Sequence, residues 1–346
     1  MKKCFFVFGS LLVLSLCTAS QTPAERNRWE AQARNITITR DDWGIAHVKG
    51  KTDADAVFGA IYAQAEDDFN RIETNYLNSI GRLAEAEGER AIWSDLRQKL
   101  FIDEQETKRL YLESPEWLRK LMNAWADGLN YYLATHPNVK PRVITKFEPW
   151  MPLTFSEGSI GGDIESIDLG QLRQFYDQKG FVAVKEPEDP LKEPSGSNGI
   201  AISPKITKNK KALLLINPHT SFFFRSELQM TSNEGLNAYG ASTWGQFFIY
   251  QGFNEHCGWM HTSSGVDAAD TYIEKVSKTN TGWIYEYEGK QKPVTGKKIL
   301  LKYLSGNEIK SKPVTVFFTH HGPIMANRNG QLLSLRADNR IAEGLM

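Results

Sequence analysis

Ser197 sits in Gly196-Ser197-Asn198-Gly199, between a Lys/Glu/Pro-rich stretch at 185–194 and a run of strand-like segments. A serine hydroxyl is a weak nucleophile until a base takes its proton, and one solution is to cut the chain ahead of it so that its own α-amine serves. That amine has an ordinary pKa of about 7.7–8.0, close to where a general base works best at neutral pH. The four residue types equally suit a plain turn, and the rest of the chain has to decide between the two. Other hydrolytic arrangements fit less well. A strand-to-helix serine elbow needs Gly-x-Ser-x-Gly, and Ser195-Gly196-Ser197-Asn198-Gly199 lacks the first glycine. A zinc hydrolase wants His-Glu-x-x-His, which is absent, and the neighbours His320-His321 cannot share one helix face.

The elements that must hold such a serine are legible in outline. Ile36 to Thr39 alternates as a strand, Arg40 to Gly44 turns, and Ile45 to Val48 resumes an extended pattern, after a polar lead from Thr22 to Arg34. From Asp55 to Glu87 apolar residues recur at helical spacing, as one long amphipathic helix or two in succession. Ser114-Pro115-Glu116 starts another helix that carries Trp117, Leu121, Trp125, Leu129 and Tyr132 on one face and stops at His136-Pro137. Phe155 to Gly180 reads as helix interrupted by glycines. Beyond Ser197 the period changes, with strands expected at Ile200–Ser203, Ala212–Asn217, Phe247–Gln251, Gly258–Thr262, Thr271–Val276, Trp283–Tyr287, Ile299–Leu304, Val314–Thr319 and Leu332–Leu335. The chain therefore divides into a signal segment (1–20), a helix-rich part (21–184), an exposed linker (185–196) and a strand-rich part (197–346).

Composition sets the outer limits. With 41% hydrophobic residues, 18 Phe, 12 Tyr and 9 Trp, the 346 residues can bury a large core. Lys+Arg and Asp+Glu are both 41, so no basic excess points to nucleic acid. Lys2-Lys3, the apolar run Cys4 to Leu16 and the small residues Thr18-Ala19-Ser20 read as a secretory signal too short for a stable membrane span, implying a periplasmic or secreted protein. Leu14-Ser15-Leu16-Cys17 offers a competing reading as a lipoprotein box, although Leu16 is larger than the small residue expected before the cysteine. Without its signal the chain keeps only Cys257 and can form no internal disulfide.

Several segments in a fixed order resemble the penicillin-acylase-like branch of the N-terminal-nucleophile hydrolases, which includes the acyl-homoserine-lactone acylases. They are Ile38-Thr39-Arg40-Asp41 with Gly44-Ile45-Ala46-His47, Gly59 to Asp67, Gly81 to Glu85 and Phe147-Glu148-Pro149-Trp150. After the Gly196-Ser197 junction come Leu215-Ile216-Asn217-Pro218-His219, Gly258 to Thr262 and Thr319-His320-His321-Gly322-Pro323. The resemblance implies an α+β fold, an αββα sandwich with a helix-rich first chain and a strand-rich second chain that stay together as a heterodimer cut from one precursor. It implies self-cleavage between Gly196 and Ser197, then hydrolysis of a small N-acyl amide through an acyl-enzyme. Acyl-homoserine lactones and lipopeptide acyl chains are favoured by the Asn-Pro-His pattern over β-lactam side chains.

The resemblance also assigns residues. Ser197 is the nucleophile, His219 hydrogen-bonds near its amine, and the backbone N–H of Val266 supplies one oxyanion donor. Asn198 assists the cut or orients the serine, or is merely a turn former. Asp267, the Ala269 carbonyl and Asp270, with Glu165 from the first chain, resemble a calcium-binding segment; no organic cofactor is implied. Phe222, Phe223 and Phe224 could line an acyl pocket or equally belong to the core. The family's second chain is far longer than 197–346 and carries an asparagine that completes the oxyanion hole and a neighbouring arginine, neither of which can be assigned here. A truncated product of a longer gene that folds incompletely or turns over poorly is therefore expected. The alternative is an exported binding protein on an inert acylase-like scaffold.

Overall fold

The computed structural model describes residues 22–155, 164, 167–177, 196–220, 223–262, 269–280, 282–328 and 331–337. The segment read as a polar lead is in fact a helix, α1 (Pro23–Ala33). Thr22 accepts from the Glu25 N–H at 3.2 Å while the Glu25 carboxylate accepts from the Thr22 N–H at 3.0 Å, a reciprocal cap that starts the helix. One apolar anchor, Trp29, then fastens it, its indole donating to Asp127 at 2.7 Å. Strands β1 (Ile36–Arg40) and β2 (Ala46–Gly50) form the expected hairpin. Next comes α2 (Asp53–Ser79), opened by a second cap at Thr52 and broken at Asp68, whose φ of −155° leaves two helices in succession.

Shorter helices α3 (Ala84–Glu87), α4 (Ile92–Phe101) and α5 (Glu104–Glu113) lead to α6 (Glu116–Thr135), which starts after Pro115 and ends at His136 as its residues dictate. Phe58, Ile61, Ile72 and Tyr76 of α2 and Trp125 and Leu129 of α6 are almost wholly buried and form the centre of the main core. Glu73 is fully buried among them; its carboxylate accepts the N–H groups of Arg142, Val143 and Ile144 at 2.7–2.9 Å. Three donors offset the cost of burying that carboxylate and pin the loop after α6. Within the segment expected to be helical from Phe155 to Gly180, α7 (Leu169–Asp177) is the α-helix among the described residues.

The second half is strand-rich, as expected. Strands β3 (Ser197–Ile202) and β4 (Leu213–Pro218) pair only with each other among the described residues. Strands β5 (Arg225–Ser232), β6 (Asn237–Thr243), β7 (Gln251–Phe253) and β8 (Gly258–Trp259) extend the β1–β2 hairpin into a six-stranded sheet of order β1-β2-β5-β6-β7-β8. Its join, β2 to β5, is parallel and crosses from one side of Ser197 to the other.

The turn after β6 locks the two parts together. Tyr76 of α2 and Trp125 of α6 both donate to the Gly245 carbonyl, at 2.9 and 2.8 Å, and Gln64 exchanges hydrogen bonds with the Gln246 carbonyl and the Gly245 N–H. Buried donors of this kind hold a turn because leaving any one unpaired costs about 1–3 kcal/mol.

The remaining strands are β9 (Ala269–Glu274), β10 (Val276–Thr279), β11 (Gly282–Tyr287), β12 (Lys290–Pro293), β13 (Thr295–Ser305), β14 (Glu308–Thr319), β15 (Gly322–Arg328) and β16 (Gln331–Ala337). They form a five-stranded sheet, β13-β14-β15-β16-β9, and a three-stranded one, β10-β11-β12. Helices α4 and α7 cover the first of these through Ile92, Leu96, Leu172, Leu301 and Val316, the second core.

The α+β class thus stands. Strands β5, β6, β10, β12 and β15 were not foreseen, the strand expected at Thr271–Val276 ends at Glu274, and the one expected at Phe247–Gln251 begins only at Gln251. Among the described residues no helix is long and apolar enough to cross a membrane.

Candidate active site

Antiparallel pairing sets the geometry at Ser197. Its partner across the hairpin is Pro218, while Gly196 faces His219, whose N–H donates to the Gly196 carbonyl at 3.2 Å. Hydrogen-bonded and unbonded pairs alternate along such a ladder, so Ser197 and Pro218 occupy an unbonded pair. That is a position where proline, lacking an N–H, is tolerated. It also turns the N–H and C=O of Ser197 away from β4. The carbonyl meets the hydroxyl of Thr262, which donates to it at 3.2 Å.

The Gly196–Ser197 junction combines an accessible conformation with a poised hydroxyl. Gly196 has φ +133°, a region L side chains rarely adopt, so glycine is what the position needs. The Ser197 hydroxyl donates to the Gly196 carbonyl at 2.6 Å. The same carbonyl oxygen therefore accepts from the serine side chain and from the His219 backbone. Gly199 is needed for a different reason: a Cβ there would lie 2.0 Å from the Met260 sulfur, where the segment after β8 crosses the hairpin.

His219 sits in a small amide cluster. Its Nε2 lies 3.2 Å from Asn217 Oδ1 and 3.1 Å from Asn198 Nδ2, and Asn198 Nδ2 donates to Asn217 Oδ1 at 3.2 Å. Asn217 Oδ1 can accept from both neighbours when Nε2 carries the ring proton. The lone pair then rests on Nδ1, the atom nearest to the Gly196 α-carbon's open side, 3.8 Å from where a Cβ would stand. Of these contacts only His219, and Asn198 as a helper, stood out in the sequence. Asn217 and Thr262 lay inside quoted motifs, but the pairing that brings them to Ser197 is long-range.

The aromatic segment after His219 is placed in part. Phe222 lies outside the described residues. Phe223 is half exposed, with the Arg71 guanidinium 5.4 Å over its ring and its carbonyl accepting from the Trp244 indole at 3.0 Å, so it belongs to neither core. Phe224 lies beneath Arg225 at 5.3 Å; the same guanidinium covers Tyr250 at 4.8 Å, and Tyr250 packs on His261 at 4.4 Å. His261 precedes Thr262, so this stack runs toward the carbonyl of Ser197. Cation–π contacts of this kind keep aromatic rings fixed while leaving their edges open to a guest.

The expected oxyanion donor Val266 and two expected cation ligands, Glu165 and Asp267, lie outside the described residues. Ala269 and Asp270 open β9, opposite Ala337 and Arg336. Asp270 is exposed, and one of its carboxylate oxygens accepts from Tyr272 at 3.3 Å. Carboxylate and carbonyl oxygens fit a hard cation such as calcium in donor type. Among the described residues no three His, Cys, Asp or Glu side chains converge on a metal position.

The sequence profile of the penicillin amidase family, described as penicillin amidase, matches residues 35–343. The chain is 23% identical over 349 residues to the acyl-homoserine lactone acylase QuiP of Pseudomonas fluorescens strain Pf-5, covering 87% of this chain and 42% of that protein. It is 23% identical over 255 residues to the acyl-homoserine lactone acylase PvdQ of Pseudomonas putida strain KT2440, covering 66% and 32%. A solved thermostable penicillin G acylase from Alcaligenes faecalis aligns with a TM-score of 0.31 at 16% identity, over 42% of this chain and 76% of that one. The chain thus spans less than half the length of the relatives it matches.

Proposed function

The chain belongs to the penicillin amidase family, and on that premise we propose that it is an exported acylase that cuts itself ahead of Ser197 and then hydrolyses a small N-acyl amide. The observation that carries this reading is the 2.6 Å hydrogen bond from the Ser197 hydroxyl to the carbonyl of a glycine at φ +133°. In the cut, Ser197 Oγ adds to the Gly196 carbonyl carbon, the C–N bond breaks, and the hydroxyl proton ends on the departing amine. Water then hydrolyses the resulting ester. Charge that builds on the Gly196 oxygen is met by the His219 N–H already donating to it.

The freed α-amine of Ser197 becomes the base for its own hydroxyl. Because the Ser197 N–H points away from β4, that amine opens toward the side where Thr262 and the aromatic stack lie. Addition to the substrate carbonyl gives an oxyanion that the Val266 N–H would meet, collapse expels the amine product, and water cleaves the acyl-enzyme. His219, with Nε2 held by Asn217, would orient the amine through Nδ1. Phe223 and Phe224, with Phe222, would face the acyl group, and the relatives' names point to N-acyl-homoserine lactones as the substrate class.

Glu165, Asp267, the Ala269 carbonyl and Asp270 would hold a calcium ion that fixes the start of β9. The two chains would remain a heterodimer, because β2 pairs with β5 across the cut and Gly245 is gripped by Tyr76 and Trp125. Export rests on Lys2-Lys3 and the apolar run that follows, with lipidation at Cys17 as the lesser route.

Intact-mass measurement with N-terminal sequencing tests the first step. Two species, one beginning Ser-Asn-Gly, are expected, and Ser197→Ala leaves a single chain. A wild-type chain that stays whole over days supports the inert-scaffold alternative, and splitting that persists in Ser197→Ala rules out the serine as the agent.

A further inference from the structure

A cavity of about 430 Å³ opens between α7, the β10–β12 sheet and the β13–β16 strands, and none of its lining residues comes from β3, β4 or the segments flanking Ser197. Phe175, Tyr176, Val276, Trp283, Phe317 and Leu332 give it an apolar, largely aromatic wall. The one phenol among them is already satisfied: Tyr176 donates to the Ile324 carbonyl at 2.6 Å and accepts from the Phe317 N–H at 3.4 Å. Walls of this kind give water little to bond, whereas pockets of roughly 300–1,000 Å³ with apolar linings and few polar groups are the usual shape of small-molecule sites.

A charge stands beside one wall, at Trp283. Lys278 stands directly across the β10–β11 ladder from Trp283, its ammonium 5.9 Å from the indole ring, and no carboxylate pairs with it among the described residues. Lys312, which reaches α7, is neutralised: it donates to Asp177 at 2.6 Å and lies over Trp93. An apolar chamber with an ammonium beside its Trp283 wall suits an amphiphile with an anionic end. At about 30 Å³ for each non-hydrogen atom, the share of a water molecule in the liquid, the chamber holds on the order of a dozen such atoms.

We propose that this cavity is a second binding site, separate from Ser197, for a medium-chain carboxylate whose tail lies against Phe175, Trp283 and Phe317 and whose carboxylate pairs with Lys278. The proposal is independent of any reaction at Ser197.

Calorimetric titration of the 346-residue chain with decanoate and with decanol, the neutral analogue of equal length, tests it. Saturable one-to-one binding of decanoate is expected, unchanged in Ser197→Ala. Thr315→Trp places an indole into the chamber from an exposed position on β14 and should remove binding of both probes, with the melting temperature checked in parallel. Lys278→Gln should weaken decanoate about tenfold, the usual worth of one charged contact, and leave decanol as it was. Lack of saturable binding by the wild-type chain, as would follow if a segment of the chain itself fills the chamber, overturns the proposal. So does a decanoate-to-decanol ratio that Lys278→Gln does not move, a result that stands even if the tryptophan variant fails to fold.

Discussion

The helical centre and the hairpin that carries Ser197 solve opposite problems. Around α2 and α6 nearly every large apolar side chain is hidden, and the buried polar groups, Glu73, Gln64, Tyr76 and Trp125, all have named partners. On β3 and β4 the reverse holds: Ile200, Leu213 and Leu215 are each at least half exposed, and neither outer edge carries a strand among the described residues. Stability therefore resides in the helical centre, whereas Ser197, the proposed nucleophile, sits on an element secured at one end and by few contacts. Functional segments are commonly drawn from the low-stability end of a structure, and here the division follows the chain itself.

The largest separation between the two regions should come from Trp125→Ala. The indole is fully buried, packs at a tilt against Tyr76 with ring centroids 4.7 Å apart, and donates to the Gly245 carbonyl. Its loss should cost about 3–5 kcal/mol and loosen the turn that joins both parts of the chain. Urea unfolding should register this as a lower midpoint, and a change within about 0.5 kcal/mol would show that the core does not depend on this clamp.

A pH effect of comparable origin belongs to the same helical part. Asp95, deep in α4, accepts the N–H groups of Leu83 and Ala84 at 2.8 and 2.9 Å, yet burial dominates and pushes its pKa up to about 7. The unfolded chain holds that proton only below about pH 3.9. Between those values the folded state binds more protons, so stability falls as pH rises from about 4 to about 7 and then levels off. Asp95→Asn should flatten the slope in that window, as read from urea midpoints across pH. An unchanged slope would mean that the two backbone donors outweigh burial and keep the carboxylate ionised.

How much of this was legible in the sequence follows the same divide. Helix α6 is announced by Pro115 and a regular apolar face, and β1–β2 by clean alternation, because each is determined by neighbours within a few residues. Helix α1 carried a local signal too, Thr22 with Glu25 three residues on, but its single buried anchor, Trp29, gave no periodicity. Strands β5 and β6 were missed because Leu228 and Met230 are their only strongly apolar inward pair along Arg225–Ser232, and what makes β5 a strand is its parallel partner β2 about 180 residues away. At the site, Gly196, Ser197 and His219 were readable as residue types in order. That Pro218 lies opposite Ser197, and that Thr262 reaches its carbonyl, depends on register between distant segments, which no local pattern encodes.

An intermediate effect should mark the one place where the hairpin is tightly held. Gly199→Ala drives a methyl group into Met260, and overpacking of this size costs about 1–3 kcal/mol unless the thioether swings away. If the crossing of Met260 over β3 is what steadies Ser197, Gly199→Ala should slow appearance of the new terminus at Ser197, which then reads Ser-Asn-Ala, and Met260→Ala in the same chain should restore its rate by making room. Equal rates in the single variant and the wild type would show that Met260 yields freely and that β3 is positioned by β4 alone.

The smallest stability change, and the sharpest contrast with Trp125, is expected on the open face of the hairpin. Leu215 is 52% exposed on β4 and faces Ile200 of β3 across the ladder, also largely in solvent. Replacing it with threonine keeps the strand preference while removing apolar surface, so unfolding should move by no more than about 0.5 kcal/mol. Association should respond instead, because exposed apolar strands with unpaired edges are templates for contact with other chains. Light scattering at rising concentration should show less self-association for Leu215→Thr than for the wild type at matched melting temperature. A melting loss as large as that of a core substitution would mean that this face is covered in solution, and the hairpin would then join the helical centre as a packed element.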